Sequence, residues 1–272
     1  MTRIIGLAAL ARSGKDTVAS MLLERAEVAA FALADPLKAG CQALFGLTSD
    51  ETWNDHIKEV VIPFWSLSPR QMFQQVGTEW MRDHNAEHWL MRADRQINHS
   101  TKPPSIASAT NLARADAPVR LATQAFFGLS NEQTWNDSLA DEKDAYWGLT
   151  PKEMLQLIQT RCDTHIPNFK QRRASRPIQP LESKQVSLTN KTVIIIKDIR
   201  FENEAEFLRR HNGIIWHIER NNATKVNTHS SEFGIKVARH DTVIKNNGTL
   251  EELKSLVDTA WLAYTANESP QI

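Results

Sequence analysis

A duplication constrains this chain more than any other feature. GLTSDETWND (Gly46 to Asp55) recurs as GLSNEQTWND (Gly128 to Asp137), and WSLSPRQMFQ (Trp65 to Gln74) recurs as WGLTPKEMLQ (Trp147 to Gln156). The offset is 82 residues in both blocks, and sixteen of the forty-seven positions from Pro36 to Arg82 are identical in the second copy. Chance gives roughly three, so the copies share an ancestor, and two copies are too few for a solenoid. The expected organisation is a core of residues 1–97 and 191–272, with an inserted helical unit, 115–176, that duplicates 34–94.

Both copies encode the same local structure. Ser68-Pro69 and Thr150-Pro151 read as helix N-caps with proline at the first helical position, and Gln71 and Glu153 complete capping boxes. Met72, Phe73, Val76 and Trp80 then recur at helical spacing, as do Met154, Leu155, Ile158 and Cys162. Trp53, Trp65, Trp135 and Trp147 are expected to pack in the core or between helices. The copies part where chemistry would lie. Gly77 is matched by Gln159, Glu79 by Arg161, Arg82 by Thr164 and Trp89 by Gln171. The first copy is therefore expected to form part of a site, and the second to be a packing or interface unit.

A second feature sits at the start of the chain. The apolar run Ile4 to Leu10 reads as a buried strand, Arg12-Ser13-Gly14-Lys15 as a turn, and a helical pattern begins at Asp16-Thr17. A strand that enters a helix through Gly-Lys makes a phosphate cradle, because turn and helix N-terminal N–H groups point at an anion and lysine adds a mobile charge. Ala9 stands where the usual pattern has its first glycine, and Asp16 where it has Ser or Thr.

Further strands are expected at Lys191 to Ile196, Gly213 to Ile218 and Val243-Ile244, a helix over Ala205 to His211, and a C-terminal helix over Thr249 to Ala263 with a Thr249/Glu252 capping box. Alternating strands and helices imply an open parallel sheet with ligands at the C-terminal strand ends, where Gly14-Lys15, Asp198 and Arg220 fall. In KDIRFENEAEF (Lys197 to Phe207), Asp198 can hold magnesium and Arg200 can make a two-pronged phosphate contact, with Asn203 and Glu204 opening the next helix. Asn98 to Ala109 and Gln171 to Asn190 read as linkers, and Arg220 to Gly234, with His229, Ser231 and Glu232, as a surface loop or a flap that excludes water.

Lys+Arg and Asp+Glu both number 32, which argues against a general nucleic-acid binder. Two cysteines give neither a disulfide framework nor zinc spacing and fit a reducing cytosol, and no apolar run reaches membrane-spanning length. A cytoplasmic protein is expected, without membrane or nucleic-acid partners.

The chain resembles the bacteriophage deoxynucleoside monophosphate kinases, relatives of the P-loop nucleoside monophosphate kinases. The resemblance lies in ARSGKDT (Ala11 to Thr17), ADPLK (Ala34 to Lys38), SPRQMFQQVGTEWMR (Ser68 to Arg82), Trp89, KDIRFENEAE (Lys197 to Glu206), HSSE (His229 to Glu232) and NNGTLEEL (Asn246 to Leu253). It implies an α/β, P-loop kinase-type three-layer fold with a parallel sheet, the inserted helical unit lying outside the family pattern. It implies ATP-dependent phosphorylation of deoxynucleoside monophosphates with Mg2+, possible homodimerisation, and the host cytoplasm if phage-encoded. The resemblance assigns Ser13, Gly14, Lys15, Asp16, Thr17 and Arg220 to ATP, and Asp16 and Asp198 to the metal. Lys15, Arg12 and Arg200 are assigned to catalysis. Arg12, Lys38, Thr78, Glu79, Arg82, Trp89, Arg200, Asn203 and Glu204 are assigned to the acceptor.

The chemistry of the residues agrees, since phosphoryl transfer needs two phosphates in line and their charge neutralised. Two alternatives stay open at this point. One is another small-molecule P-loop kinase, of the dephospho-CoA or phosphomevalonate type. The other is a non-catalytic nucleotide-binding interaction protein that uses the duplicated tryptophan-containing surface.

Overall fold

The computed structural model describes residues 2–10, 12–99, 106–178, 190–197, 199, 201–221 and 235–266. In chain order the main elements are β1 (Arg3–Ala9), α1 (Lys15–Leu23), β2 (Val28–Ala32), α2 (Ala34–Phe45), α3 (Ser49–Trp53), α4 (Pro69–Gln74), a π-helical stretch (Gln75–Arg82) and α5 (His88–Asn98). There follow α6 (Ala109–Leu112), α7 (Ala117–Phe127), α8 (Asn131–Trp135), α9 (Pro151–His165), α10 (Phe169–Ala174), β3 (Val193–Lys197), α11 (Glu202–Arg210), β4 (Ile214–Glu219), β5 (Thr242–Lys245) and α12 (Leu250–Ala266). They form two compact units, Met1–Leu33 with Val186–Ile272, and Ala34–Gln185.

The first unit is an α/β layer structure around a five-stranded sheet in the order β2-β3-β1-β4-β5, every pairing parallel. This agrees with the expected P-loop kinase-type architecture. The central strands β1 and β3 are near-continuous apolar runs because both sheet faces are covered there. Ile5 lies in register with Ile195 of β3 and Ile214 of β4. Ile5, Leu7, Ile195, Trp216 and Ile218 pack with Val18 and Leu22 of α1 and with Leu253, Val257 and Trp261 of α12. Gly6 serves the other face: a side chain there would run into Leu208 of α11. Parallel strands place the ends of β1, β3, β4 and β5 on one edge, behind Ala9, Lys197, Glu219 and Lys245.

The second unit is helical and contains both copies. Their structure repeats with the sequence. Capping boxes close α3 and α8 through Thr48/Glu51 and Ser130/Gln133, and α4 and α9 through Ser68/Gln71 and Thr150/Glu153. Gly46 and Gly128 both take the left-handed conformation, at φ 62° and 66°. Trp65 donates its indole N–H to the Phe45 carbonyl at 3.1 Å, and Trp147 to that of Phe127 at 2.7 Å. The copies share one hydrophobic core, in which Leu44, Phe45, Met72, Val76 and Trp80 meet Phe126, Phe127, Met154, Ile158 and Cys162.

Several expectations need correction. β2 carries little strand signal in its sequence, because VAAFA is short and has alanine at three of its five positions. The second linker starts later than Gln171, since α10 runs to Ala174, where Phe169 buries itself and anchors the helix. Helix α1 begins at Lys15, one residue earlier than expected. The helix that Ser68 starts is not uniform: it changes from α to π at Gln75. The repeat tryptophans need no such correction: Trp65 lies in the shared core and Trp147 packs against it, and Trp53 and Trp135 are half-buried.

Candidate functional site

The loop between β1 and α1 is built for close backbone approach. Gly14 is the residue before the first helical turn and sits at φ 94°. A Cβ there would overlap the Asn246 side-chain amide, so both dihedral and space demand glycine. Arg12 also lies in the left-handed region, at φ 64°, unusual for a residue of its size, and is exposed. The first helical hydrogen bond is Val18 N–H to the Gly14 carbonyl at 3.0 Å. The amides of Lys15, Asp16 and Thr17 therefore precede the hydrogen-bonded ladder and face the helix N-terminus, where the macrodipole favours an anion. Ser13 is 1% exposed, and its hydroxyl meets no hydrogen-bond partner among the described residues. A buried orphan hydroxyl beside a ring of helix N-terminal amides suits a loop that closes around an anion. Asp16 and Thr17 are exposed and Lys15 half-buried.

Asn246 is the residue that sequence reasoning missed. It follows β5, is buried, and donates its amide to the Ser13 carbonyl at 2.8 Å. Its backbone N–H donates to the Glu219 carbonyl at 2.7 Å, at the end of β4. Its side chain thus holds the loop while its backbone holds the end of β4. The NNG signature was visible as part of the resemblance, but its contact with the loop lies 233 residues away in sequence.

Along the same edge Lys197 closes β3, while Asp198 and Arg200 fall outside the described residues. Arg220 is exposed just beyond β4. Asn203 is half-buried in the first turn of α11, and Glu204 is buried and accepts the Phe201 N–H at 3.1 Å, capping that helix. The loop residues His229, Ser231 and Glu232 also lie outside the described residues.

In the second unit the π-helical stretch Gln75–Arg82 holds Thr78, Glu79 and Arg82, and the equivalent stretch of α9 is ordinary α-helix. π-helical turns widen the backbone and recur at functional sites. Here Gly77 admits Leu37, whose methyl group would meet a Cβ at 2.7 Å. Trp89 of α5 donates its indole N–H to the Gly77 carbonyl at 3.0 Å, satisfying a backbone group inside the stretch. Thr78 and Glu79 are exposed and Arg82 half-buried, whereas Trp89 is 9% exposed and acts as a brace. Lys38 of α2 lies over the Trp53 ring, 5.4 Å from its centroid. In the second copy Arg120 takes the place of Lys38 and is held by Asp116, Asp137 and the Thr134 carbonyl.

Helix α5 carries a buried polar seam through His88, Arg92 and Arg95. Arg95 makes a two-pronged contact with Asp144 at 2.8 and 2.9 Å. Burial alone would raise the Asp144 carboxyl, but Arg95, the Trp147 N–H and Gln133 overcome it and hold it at about 2. Burial pushes the His88 imidazole down to about 3 and the Arg92 guanidinium down to about 10.

No helix among the described residues is long and apolar enough to cross a membrane. Residues 175–257, which include β3, α11, β4, β5 and Asn246, match the family model described as deoxynucleotide monophosphate kinase. The chain is also similar to a protein of Acanthamoeba polyphaga mimivirus named "Putative deoxynucleotide monophosphate kinase". The two are 28% identical over 148 residues, covering 52% of this chain and 77% of that protein.

Proposed function

We propose that this protein is a deoxynucleoside monophosphate kinase, which transfers the γ-phosphoryl group of ATP to the phosphate of a deoxynucleoside monophosphate and releases ADP and a deoxynucleoside diphosphate. The observation that carries the reading is the Arg12–Thr17 loop, with glycine at φ 94° and three amides at a helix N-terminus, at the end of the strand that pairs with β3 and β4 of the family-matched segment.

The amides of Lys15, Asp16 and Thr17, with Ser13, Gly14 and the Lys15 ammonium, hold the donor phosphates, and Arg220 stands on the ATP side. Arg12 and Arg200 neutralise charge that spreads over the equatorial oxygens during transfer. Asp16 and Asp198 are the carboxylates that would hold Mg2+, directly or through water, and the bound ion would neutralise donor phosphate charge. Such an ion keeps waters and phosphate oxygens among its ligands, so a lone pair of carboxylates suffices on the protein side. Lys38, Thr78, Glu79, Arg82, Asn203 and Glu204 serve the acceptor nucleotide, with Trp89 supporting the stretch that carries three of them. No general base is needed, because the attacking atom is already a phosphate oxygen.

The reading is tested by ADP release from ATP in the presence of dTMP, dGMP, dCMP, dAMP and the matching ribonucleotides. ADP formation that depends on at least one deoxynucleotide is expected. ATP binding without turnover on any acceptor overturns it.

A further inference from the structure

The contacts that tie the two copies together come in pairs. Arg92 of α5 donates to the Ala125 carbonyl of α7 at 2.8 Å, and Arg173 of α10 donates to the Ala43 carbonyl of α2 at 3.0 Å. Arg95 reaches the Gly128 carbonyl at 3.1 Å, and Arg176 reaches that of Gly46 at 3.0 Å. His88 stacks on Trp147 at 5.0 Å and 26°, and Phe169 stacks on Trp65 at 6.3 Å and 27°. The acceptors and tryptophans in each pair stand 82 residues apart in sequence, and the donors and their stacking partners 81, so in the last helices the register slips by one and Trp89 corresponds to Lys170 rather than to Gln171. The last helix of each copy therefore docks on the other copy.

The helices α2 and α7 meet directly, with Gly40 lying against the Phe126 ring so closely that a Cβ would overlap it. The core is common to both copies. This reciprocity, residue i on j′ and i′ on j, is what a two-fold axis produces in an isologous dimer. Here both halves belong to one chain.

We propose that the second copy stands in for a second subunit, so that the face a two-fold partner would cover is covered from within and the chain works as a single protomer. The substitute acts on the first copy at a defined place. The Phe126 carbonyl holds His88 at 3.1 Å, and the Phe126 ring meets Trp89 edge-on at 5.7 Å. Trp89 in turn holds the Gly77 carbonyl. Phe126 is thus a positioning residue for the stretch that carries Thr78, Glu79 and Arg82. Only this positioning role rests on the function proposed above; the fused interface does not.

Two measurements separate the parts. Sedimentation equilibrium of the full chain across roughly 1–100 μM is expected to give a single species at the chain mass of 30.8 kDa. A reversible dimer in that range overturns the fused-interface proposal, whatever the protein's activity. In Phe126→Leu, KM for the deoxynucleotide is expected to rise roughly fivefold or more, with kcat and the ATP KM within about twofold. Amide exchange over 75–82 and 88–98 is expected to quicken while that of β1 is unchanged. Uniform loss of all kinetic constants, or unchanged exchange over those residues, overturns the positioning role. An inactive wild type with the expected mass and exchange pattern would remove the kinase reading and leave the interface standing.

Discussion

The Asn246 amide donates to the Ser13 carbonyl at 2.8 Å, and the same amide fills the space where a side chain on Gly14 would begin. A residue after the last strand thereby fixes the shape of a loop after the first. Asn246→Ala leaves a buried carbonyl unpaired, which costs about 1–3 kcal/mol. A lowered melting temperature and a raised ATP KM are expected. Gly14→Ala adds a strained dihedral and an overlap, so its loss of ATP affinity should exceed that of Asn246→Ala when both are titrated with ATP.

Lys15 sits at the first helical position, half-buried behind Gly14. Lys15→Ala removes a positive charge at the helix N-terminus, so turnover should fall by roughly two to three orders of magnitude. The melting temperature should stay near that of wild type. Unchanged deoxynucleotide-dependent ADP formation would refute the role of the loop.

The two copies allow an internal control. Arg82 lies in the π-helical stretch and Arg161 in the ordinary α9. Arg82→Ala is expected to lower kcat/KM for the acceptor by roughly tenfold or more, and Arg161→Ala to leave it within twofold. Equal losses in the same assay would show that the copies do not differ in function.

His88 predicts how the second unit responds to acid. Its imidazole is buried and held down to about 3, against an ordinary value of 6.5. Below about pH 6.5 the unfolded chain takes up a proton that the folded chain refuses until about pH 3, so stability falls across that window. The expected loss is about 2–3 kcal/mol by roughly pH 4.5. His88→Phe, which places the residue type of the equivalent position Phe169, should flatten the dependence in urea melts run at several pH values. It should also lower stability at neutral pH through loss of the bond to the Phe126 carbonyl.

By itself the sequence determined what depends on short spacings. The duplication, the Ser68/Gln71 and Thr150/Glu153 capping boxes, the Gly14-Lys15 turn and the apolar runs that became β1, β3 and β4 were legible because caps and periodicity act within a few residues. What only the tertiary structure decided depends on where the chain returns. β2 is a strand because β3 lies beside it, not because VAAFA insists on one. The brace from Trp89 to Gly77, the clamp from Asn246 to Ser13 and the crossed arginines join groups 12, 233, 33 and 130 residues apart. A buried carbonyl must find a donor, and that donor is set by the path of the backbone rather than by its neighbours in sequence. The substitutions that separate Gln75–Arg82 from its duplicate could be read from the sequence. That they open a π-helix over Leu37, while the other copy stays α-helical and seals the interface, followed only from packing.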